Sequence, residues 1–237
     1  MEKSQSRNRT LKKRALATLV TLCIMLPLLP AFTLMVGAEG QDSNPFTDVK
    51  TDDWFYSAVC FVQERELMNG TSQDTFSPHI ATTRGMIVTI LHRLEGTPIV
   101  SSELLTPGSE FTDVTEGAYY SDAVTWAAAN GIVNGYGDGR FGPNDIITRQ
   151  DLAVIFMQYM NYKEIILPVT MQWIFFADEA DISGYAMDAI QTFNKLGIIN
   201  GMGTNESGQT IIDPKGAATR AHAAGLLMNF LQVIEKD

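Results

Sequence analysis

The sequence predicts a mainly α fold in which three copies of one helix–loop–helix unit pack around a shared core with approximate threefold symmetry. Three observations carry that expectation. Phe46-Thr47-Asp48-Val49 recurs as Phe111-Thr112-Asp113-Val114 at an offset of 65, and again as Phe176-Ala177-Asp178 after another 65. From Phe46 to Arg84 the offset runs without a gap, and 12 of its 39 positions are identical in copies one and two, where unrelated sequences share about two. In each copy a Thr-Arg pair precedes an apolar stripe at helical spacing, and two short helices cannot bury such a stripe alone.

Copy two shows the elements in order. Asp122 to Asn130 is apolar and rich in alanine, the pattern of a first helix, and Gly131 with Asn134-Gly135 supplies termination and turn chemistry. Asn134-Gly135-Tyr136-Gly137-Asp138-Gly139 holds too much glycine for an element interior and reads as a loop. Phe141-Gly142-Pro143 follows as an extended piece. Thr148 then stands as an N-cap, with Asp151 three residues on to complete a capping box, and Leu152, Ile155, Phe156 and Tyr159 mark one helical face. Copy one writes that face as Ile87, Ile90, Leu91 and Leu94, and copy three as Ala223, Leu226, Leu227, Phe230 and Leu231. Copy three needs one extra residue near Gly184 and five between Gly201 and Pro214. The expected organisation is a signal peptide over 1–38, a short linker over 39–45, and repeats over 46–108, 109–170 and 171–237.

The signal peptide rests on a basic run over 1–14, an apolar run from Ala15 to Val36, and small residues at Val36-Gly37-Ala38 before Glu39. An uncleaved membrane anchor is the competing reading, since those 22 apolar residues could cross a bilayer, but Pro27, Pro30 and three threonines weaken it. Removing the segment changes the charge. The full chain carries 17 basic and 27 acidic residues, whereas 11 basic and 26 acidic remain beyond residue 38, a balance of −15. Such acidity disfavours binding nucleic acid or an anionic membrane through bulk charge. Cys60 would then be the single cysteine, so no intrachain disulfide is expected, and its apolar neighbours suggest an ordinary buried thiol.

No catalytic constellation emerges. His79, His92 and His222 fall at different places in the repeat, none in a metal-spacing motif, and neither an enzymatic activity nor a cofactor is expected. The residue that asks for a reason is the arginine after each Thr cap, Arg84, Arg149 and Arg220. Cations are unfavourable at a helix N-terminus. One reason is an internal salt bridge, for instance to Asp48, Asp113 or Asp178. The other is a pocket in which guanidinium and helix N-terminus converge on a carboxylate or phosphate. Aromatic residues follow each opening Asp, as Trp54 and Phe55, Tyr119 and Tyr120, and Gly184-Tyr185 in copy three. They suit either the core or a sugar ring. Gly70, Gly135 and Gly201 serve as turn residues or admit a ligand close to the backbone.

Over residues 46 to 234 the chain resembles three tandem S-layer homology domains. The carriers are the Phe-x-Asp openings, the Asn-Gly turns, the Phe-x-Pro segments, and an Ile-Thr-Arg-Ala-Glu signature. The signature stands here as Ala81-Thr82-Thr83-Arg84-Gly85-Met86, Ile147-Thr148-Arg149-Gln150-Asp151 and Ala218-Thr219-Arg220-Ala221-His222. The resemblance implies a three-pronged spindle around a central helical bundle. Its grooves would bind a pyruvylated secondary cell wall polysaccharide, holding a secreted protein to peptidoglycan at the cell surface. Carried over, Arg84, Arg149 and Arg220 would hold the ketal carboxylate. Asp48, Asp113 and Asp178 would accept sugar or backbone hydrogen bonds, Trp54 and Tyr119 would form the wall, and Gly70, Gly135 and Gly201 would admit the ligand. The signature's acid survives only as Asp151, so Met86 and His222 are expected to loosen the cap, and the groove built by copy three, lacking an aromatic at Gly184, to be weak or empty. A structural or assembly protein acting through protein contacts is the alternative. With few residues outside the repeats, the cargo is either a non-covalent protein partner or absent, the module occupying wall sites itself.

Overall fold

A computed structural model describes residues 44–100, 111–169 and 171–236. The signal-peptide expectation for 1–38 lies outside them. Six α-helices form among the described residues: α1 (Tyr56–Glu64), α2 (Arg84–Leu94), α3 (Ser121–Ala129), α4 (Arg149–Tyr162), α5 (Met187–Lys195) and α6 (Arg220–Ile234), with a 3-10 turn at Glu179–Asp181. Extended pairing there is confined to isolated bridges, so the class is mainly α, as the repeat pattern predicts. The first helix of copy two ends one residue early, at Ala129, because Gly131 turns left-handed (φ 68°) and the Ile132 N–H closes back on the Ala127 carbonyl at 2.8 Å. Cys60, within α1, is half-buried rather than fully enclosed.

The second helices start where sequence places them. Thr83, Thr148 and Thr219 each accept the backbone N–H three residues on. The apolar stripes behind those caps are buried, save half-buried Leu94, and one continuous core takes residues from all three copies. Phe156 and Phe193 meet Phe230 edge-on or tilted at 5.4 and 6.0 Å, joining α4 and α5 to α6.

The three units are closed in a ring. Helix α2 packs on α3, α4 on α5, and α6 returns to α1, so the second helix of each copy covers the first helix of the next. Backbone pairing follows the same cycle. Thr82 donates to the Ala218 carbonyl (2.8 Å), Ala218 to Ile147 (2.9 Å), and Ile147 to Thr82 (3.0 Å). These residues sit just before the three caps and are fully enclosed, so the ring of bonds lies in dry protein, where an unmade one would be costly.

Each Phe-x-Pro segment, written Ile212-Asp213-Pro214 in copy three, is held from within its own copy. The Asp48 carboxylate accepts the N–H groups of Phe76 and Ser77 at 2.8 and 2.7 Å, and Asp113 those of Phe141 and Gly142, both at 2.8 Å. Asp178 accepts from Ile212 and Asp213. The middle residue of each segment, Ser77, Gly142 or Asp213, has φ of 60°, 75° or 50°, the left-handed region that costs a residue with a Cβ about 1 kcal/mol. The carboxylate offsets that cost by fixing two amides at once. Replacing Asp113 with Ala should therefore lower stability by about 3 kcal/mol, read as a reduced denaturant midpoint, whereas Ser77→Gly should raise stability by about 0.5–1 kcal/mol.

Candidate functional site

The three arginines reach forward into the next copy. Arg84 Nε donates to the Phe141 carbonyl (2.9 Å), Arg149 Nε to Ile212 (2.7 Å), and Arg220 Nε to Phe76 (2.8 Å). A guanidinium Nη continues to the Asn134 carbonyl from Arg84 (3.2 Å) and to Asn69 from Arg220 (2.6 Å). Among the described residues the arginines form no ion pair with Asp48, Asp113 or Asp178. The internal salt bridge, one of the two reasons for these arginines, is thus replaced by bonds to peptide carbonyls. The Asp oxygens are engaged by backbone amides, the second of the two roles that the resemblance implies.

The helix N-termini are also occupied. Backbone N–H groups of Arg84 and Gly85 go to Asp145 and Pro143, those of Arg149 and Gln150 to Gly216 and Pro214, and those of Arg220 and Ala221 to Ile80 and Pro78. The third amide of each helix goes to its Thr cap. An anion at these points would meet the guanidinium alone, so the expected convergence of arginine and helix N-terminus does not form.

Two grooves place arginine, glycine turn and aromatic wall together, each drawing on all three copies. A cavity of about 150 Å³ is lined by Arg149 of copy two, Gly201 of copy three and Trp54 of copy one, against His222, Leu226 and Asn229 on α6. A wider cleft of about 520 Å³ takes Arg220 of copy three, Gly70 of copy one and Tyr119 of copy two, against Met86, Ile90 and Arg93 on α2. The α2 and α6 residues occupy matching repeat positions. Trp54 and Tyr119 are 65% and 60% exposed, so neither belongs to the core and both can face a ligand. At the third arginine, Arg84 lies under the Tyr136 ring, 5.0 Å from its centre. Copy three supplies its aromatic here as Tyr185, whose hydroxyl donates to Asp151 (2.6 Å) and accepts from Gln150 (2.9 Å). The missing aromatic at Gly184 therefore bears on the arginine of copy one, because sites are shared around the ring and not built by single copies.

The glycines have a packing reason of their own. A Cβ on Gly70 or Gly135 would strike the Phe46 or Phe111 ring and a loop carbonyl, and Gly201, at φ 99°, would meet Thr210. His222 is the residue that sequence reasoning undervalued. Its Nδ1 accepts the Thr219 N–H at 3.1 Å while its own N–H is held by the Thr219 hydroxyl, a complete capping box. Asp151, expected to complete one, instead takes the Thr148 hydroxyl (2.6 Å) and the Tyr185 hydroxyl. The cap at His222 is thus tightened, not loosened. Trp54 stacks on the imidazole at 5.6 Å. Burial pulls Arg149 down to about 10, still a cation at neutral pH, against the opposing charges of Asp213 and Asp178. Burial, then the Arg149 charge, pulls His222 down to about 4, with Asp213 opposing and His79 adding to the shift.

The sequence profile of the S-layer homology domain matches residues 45–85, 110–153 and 175–224, more than half of the chain. The chain belongs to the S-layer homology domain family, as three tandem repeats. It is 31% identical over 200 residues to an amylopullulanase of Thermoanaerobacterium thermosulfurigenes, covering 82% of this chain and 10% of that protein. With an endoglucanase of a Bacillus species it shares 30% identity over 223 residues, 92% of this chain and 22% of the other. With the surface-layer 125 kDa protein of Lysinibacillus sphaericus it shares 34% over 131 residues, 53% of this chain and 10% of that protein. The chain thus spans about a tenth to a fifth of the length of these relatives.

The depressed His222 gives a pH signature. Because its folded value lies near 4 and its ordinary value at 6.5, the unfolded chain gains the proton first as pH falls, so stability is lost between about 6.5 and 4. After allowance for solvent screening, the loss should be on the order of 1 kcal/mol, and His222→Gln should flatten it in denaturation curves at pH 7 and pH 4.5.

Proposed function

We propose that this chain acts at the cell surface as a secreted, non-enzymatic anchoring module that holds an anionic secondary cell wall polysaccharide, with a pyruvate ketal as the recognised anion. The observation that carries the reading is the composite groove: a guanidinium from one repeat, a glycine turn from the next, and an exposed aromatic ring from the third. Arg84, Arg149 and Arg220 are the carboxylate-holding candidates, with Trp54 and Tyr119 as walls for a sugar ring. Gly70, Gly135 and Gly201 keep the turns close-packed beside them. The family match supports the reading, and so do the relatives. What a glucanase and a surface-layer protein share with this chain is this stretch, which favours attachment over catalysis.

A second reading, assembly through protein contacts, draws on the segment after α4, where Ile166, Val169 and Phe175 are exposed. Large apolar side chains in one exposed stretch suit a protein partner.

Pull-down with peptidoglycan sacculi separates the two. The mature chain should bind native sacculi and fail on sacculi stripped with hydrofluoric acid; equal binding to both would sink the polymer reading. Retention should fall by less than threefold between about 50 and 200 mM salt, since geometry and not diffuse charge selects the anion. It should drop tenfold or more when the arginines are exchanged for Lys, which lacks the planar fork.

A further inference from the structure

The three arginines are not equivalent, and the difference traces to one insertion. In copies one and two the loop after Asn-Gly is short, with Thr71 paired to Thr75 and Tyr136 to Arg140 across its neck. The Asn69 and Asn134 carbonyls then face the incoming arginine and take one Nη. In copy three the five additional residues widen the turn. Gly201 and Gly203 adopt φ of 99° and 124°, Met202 pairs with Ile211, and the extra residues fold as a small hairpin bridged at Thr204 and Thr210. Asn200 lines the cavity, but its carbonyl does not take the guanidinium. Among the described residues, Arg149 keeps one hydrogen bond, from Nε to Ile212, and both its Nη groups are without a protein acceptor. Arg84, by contrast, has its Nη on Asn134 and its face under Tyr136.

The same cavity contains a second unused donor. With Nδ1 of His222 accepting the Thr219 N–H, the neutral ring carries its proton on Nε2, which has no protein partner among the described residues. Trp54 lies over that ring at 23° to it, fixing its orientation and leaving the outer indole face to solvent. At this repeat position the Arg220 cleft has the thioether of Met86, which donates nothing. Beside Arg84 it is Asp151, whose carboxylate is spent on two hydroxyls and would repel an anion.

We propose that, of the three arginine grooves, the one formed by Arg149, Trp54 and His222 is the primary site, taking a ring-borne carboxylate on the free Nη donors of Arg149 while His222 Nε2–H donates to a neighbouring oxygen of the same sugar. This rests on the anchoring reading above and adds a specificity residue to it. The grooves differ at the position occupied by Met86, Asp151 and His222: His222 adds a donor, Met86 adds none, and Asp151 opposes an anion. The Ile190, Ile198 and Leu226 side chains behind the arginine give the site an apolar floor, which strengthens a guanidinium–carboxylate contact relative to open water.

The test uses the mature chain and two probes, the methyl glycoside of pyruvate-ketal N-acetylmannosamine and the same glycoside without the ketal. Calorimetric titration should show one dominant site for the ketal sugar and none for its unmodified partner. Arg149→Gln and Trp54→Ala should each weaken that site at least tenfold, whereas Lys215→Gln, which removes an exposed cation outside the cavity lining, should change it by less than threefold. His222→Gln, which retains both the cap acceptor and a donor, should stay within threefold of wild type. His222→Glu retains the cap but places a carboxylate beside Arg149, and should lose at least tenfold while the thermal midpoint at pH 7 is held, which separates recognition from folding. In ¹⁵N spectra of the histidine rings, His222 Nε2 should shift on addition of the ketal sugar. Wild-type binding that is indifferent to Arg149→Gln and to His222→Glu overturns the assignment and leaves the anchoring reading standing. Failure of the wild type to bind native sacculi sinks both.

Discussion

The two-sided grip on each Phe-x-Pro segment is the constraint on which the rest depends. An Asp of the same repeat holds the segment's amides, and an Arg of the preceding repeat holds its carbonyl. A carboxylate is an acceptor only and a guanidinium a donor only, so the two cannot exchange roles, and together they use both faces of the same peptide. The segment in turn presents Pro78, Pro143 and Pro214 carbonyls to the second amides of α6, α2 and α4. One short stretch therefore fixes the loop, the entry of the neighbouring helix, and the angle between two repeats. Units of this size cannot enclose an adequate core alone. Closing the ring lets three of them share one, and α6 returning to α1 leaves no terminal repeat with an uncovered face.

This arrangement reconciles two demands on the arginine. A cation at the start of a helix works against the dipole, and burial adds a desolvation cost. The Nε bond to the next repeat offsets part of both and orients the fork, so that the remaining Nη donors are displayed without further loss of side-chain entropy. The acidity of the domain is compatible with that. An excess of acids over the surface opposes capture of anions at long range, but it would have little purchase inside a cavity where a single guanidinium would stand a few ångströms from the proposed ligand. The acidic surface and the proposed anion site would operate at different distances.

Features with local periodicity were legible in the sequence. The caps at Thr83, Thr148 and Thr219, the apolar faces behind them, and the mainly α class all follow from spacing within a single copy. Relations between copies were not. An offset of 65 places Trp54 and Arg84 in one unit, yet Trp54 stands with Arg149 and His222, because the ring brings the first repeat against the third. Neither could sequence decide between a salt bridge and a ligand site for the arginines, since the carbonyls they bind carry no side-chain signature. His222 looked like a weakened acid. Its imidazole makes the same reciprocal cap that a Glu would, whereas Asp151 is one carbon short of Glu and is drawn instead to the Thr148 and Tyr185 hydroxyls.

Cyclic repeats also explain why the residues added in copy three fall in loops. A change in the Asp, the Arg, or the segment between them would disturb two repeats at once, whereas extra residues after Asn-Gly disturb only the surface between the grip and the groove. The copy-three insertion shows this. Asp178 still holds the Ile212 amide and Arg149 still holds the Ile212 carbonyl, so the frame is unaltered, while the Asn200 carbonyl is withdrawn from the guanidinium. The two remaining departures at that groove, Trp54 in place of a tyrosine and His222 in place of an acid, likewise leave the grip untouched. Frame and proposed recognition are therefore separable in this fold, because they fall to different nitrogens of the arginine: Nε belongs to the ring, and the Nη pair is free to diverge from one groove to the next.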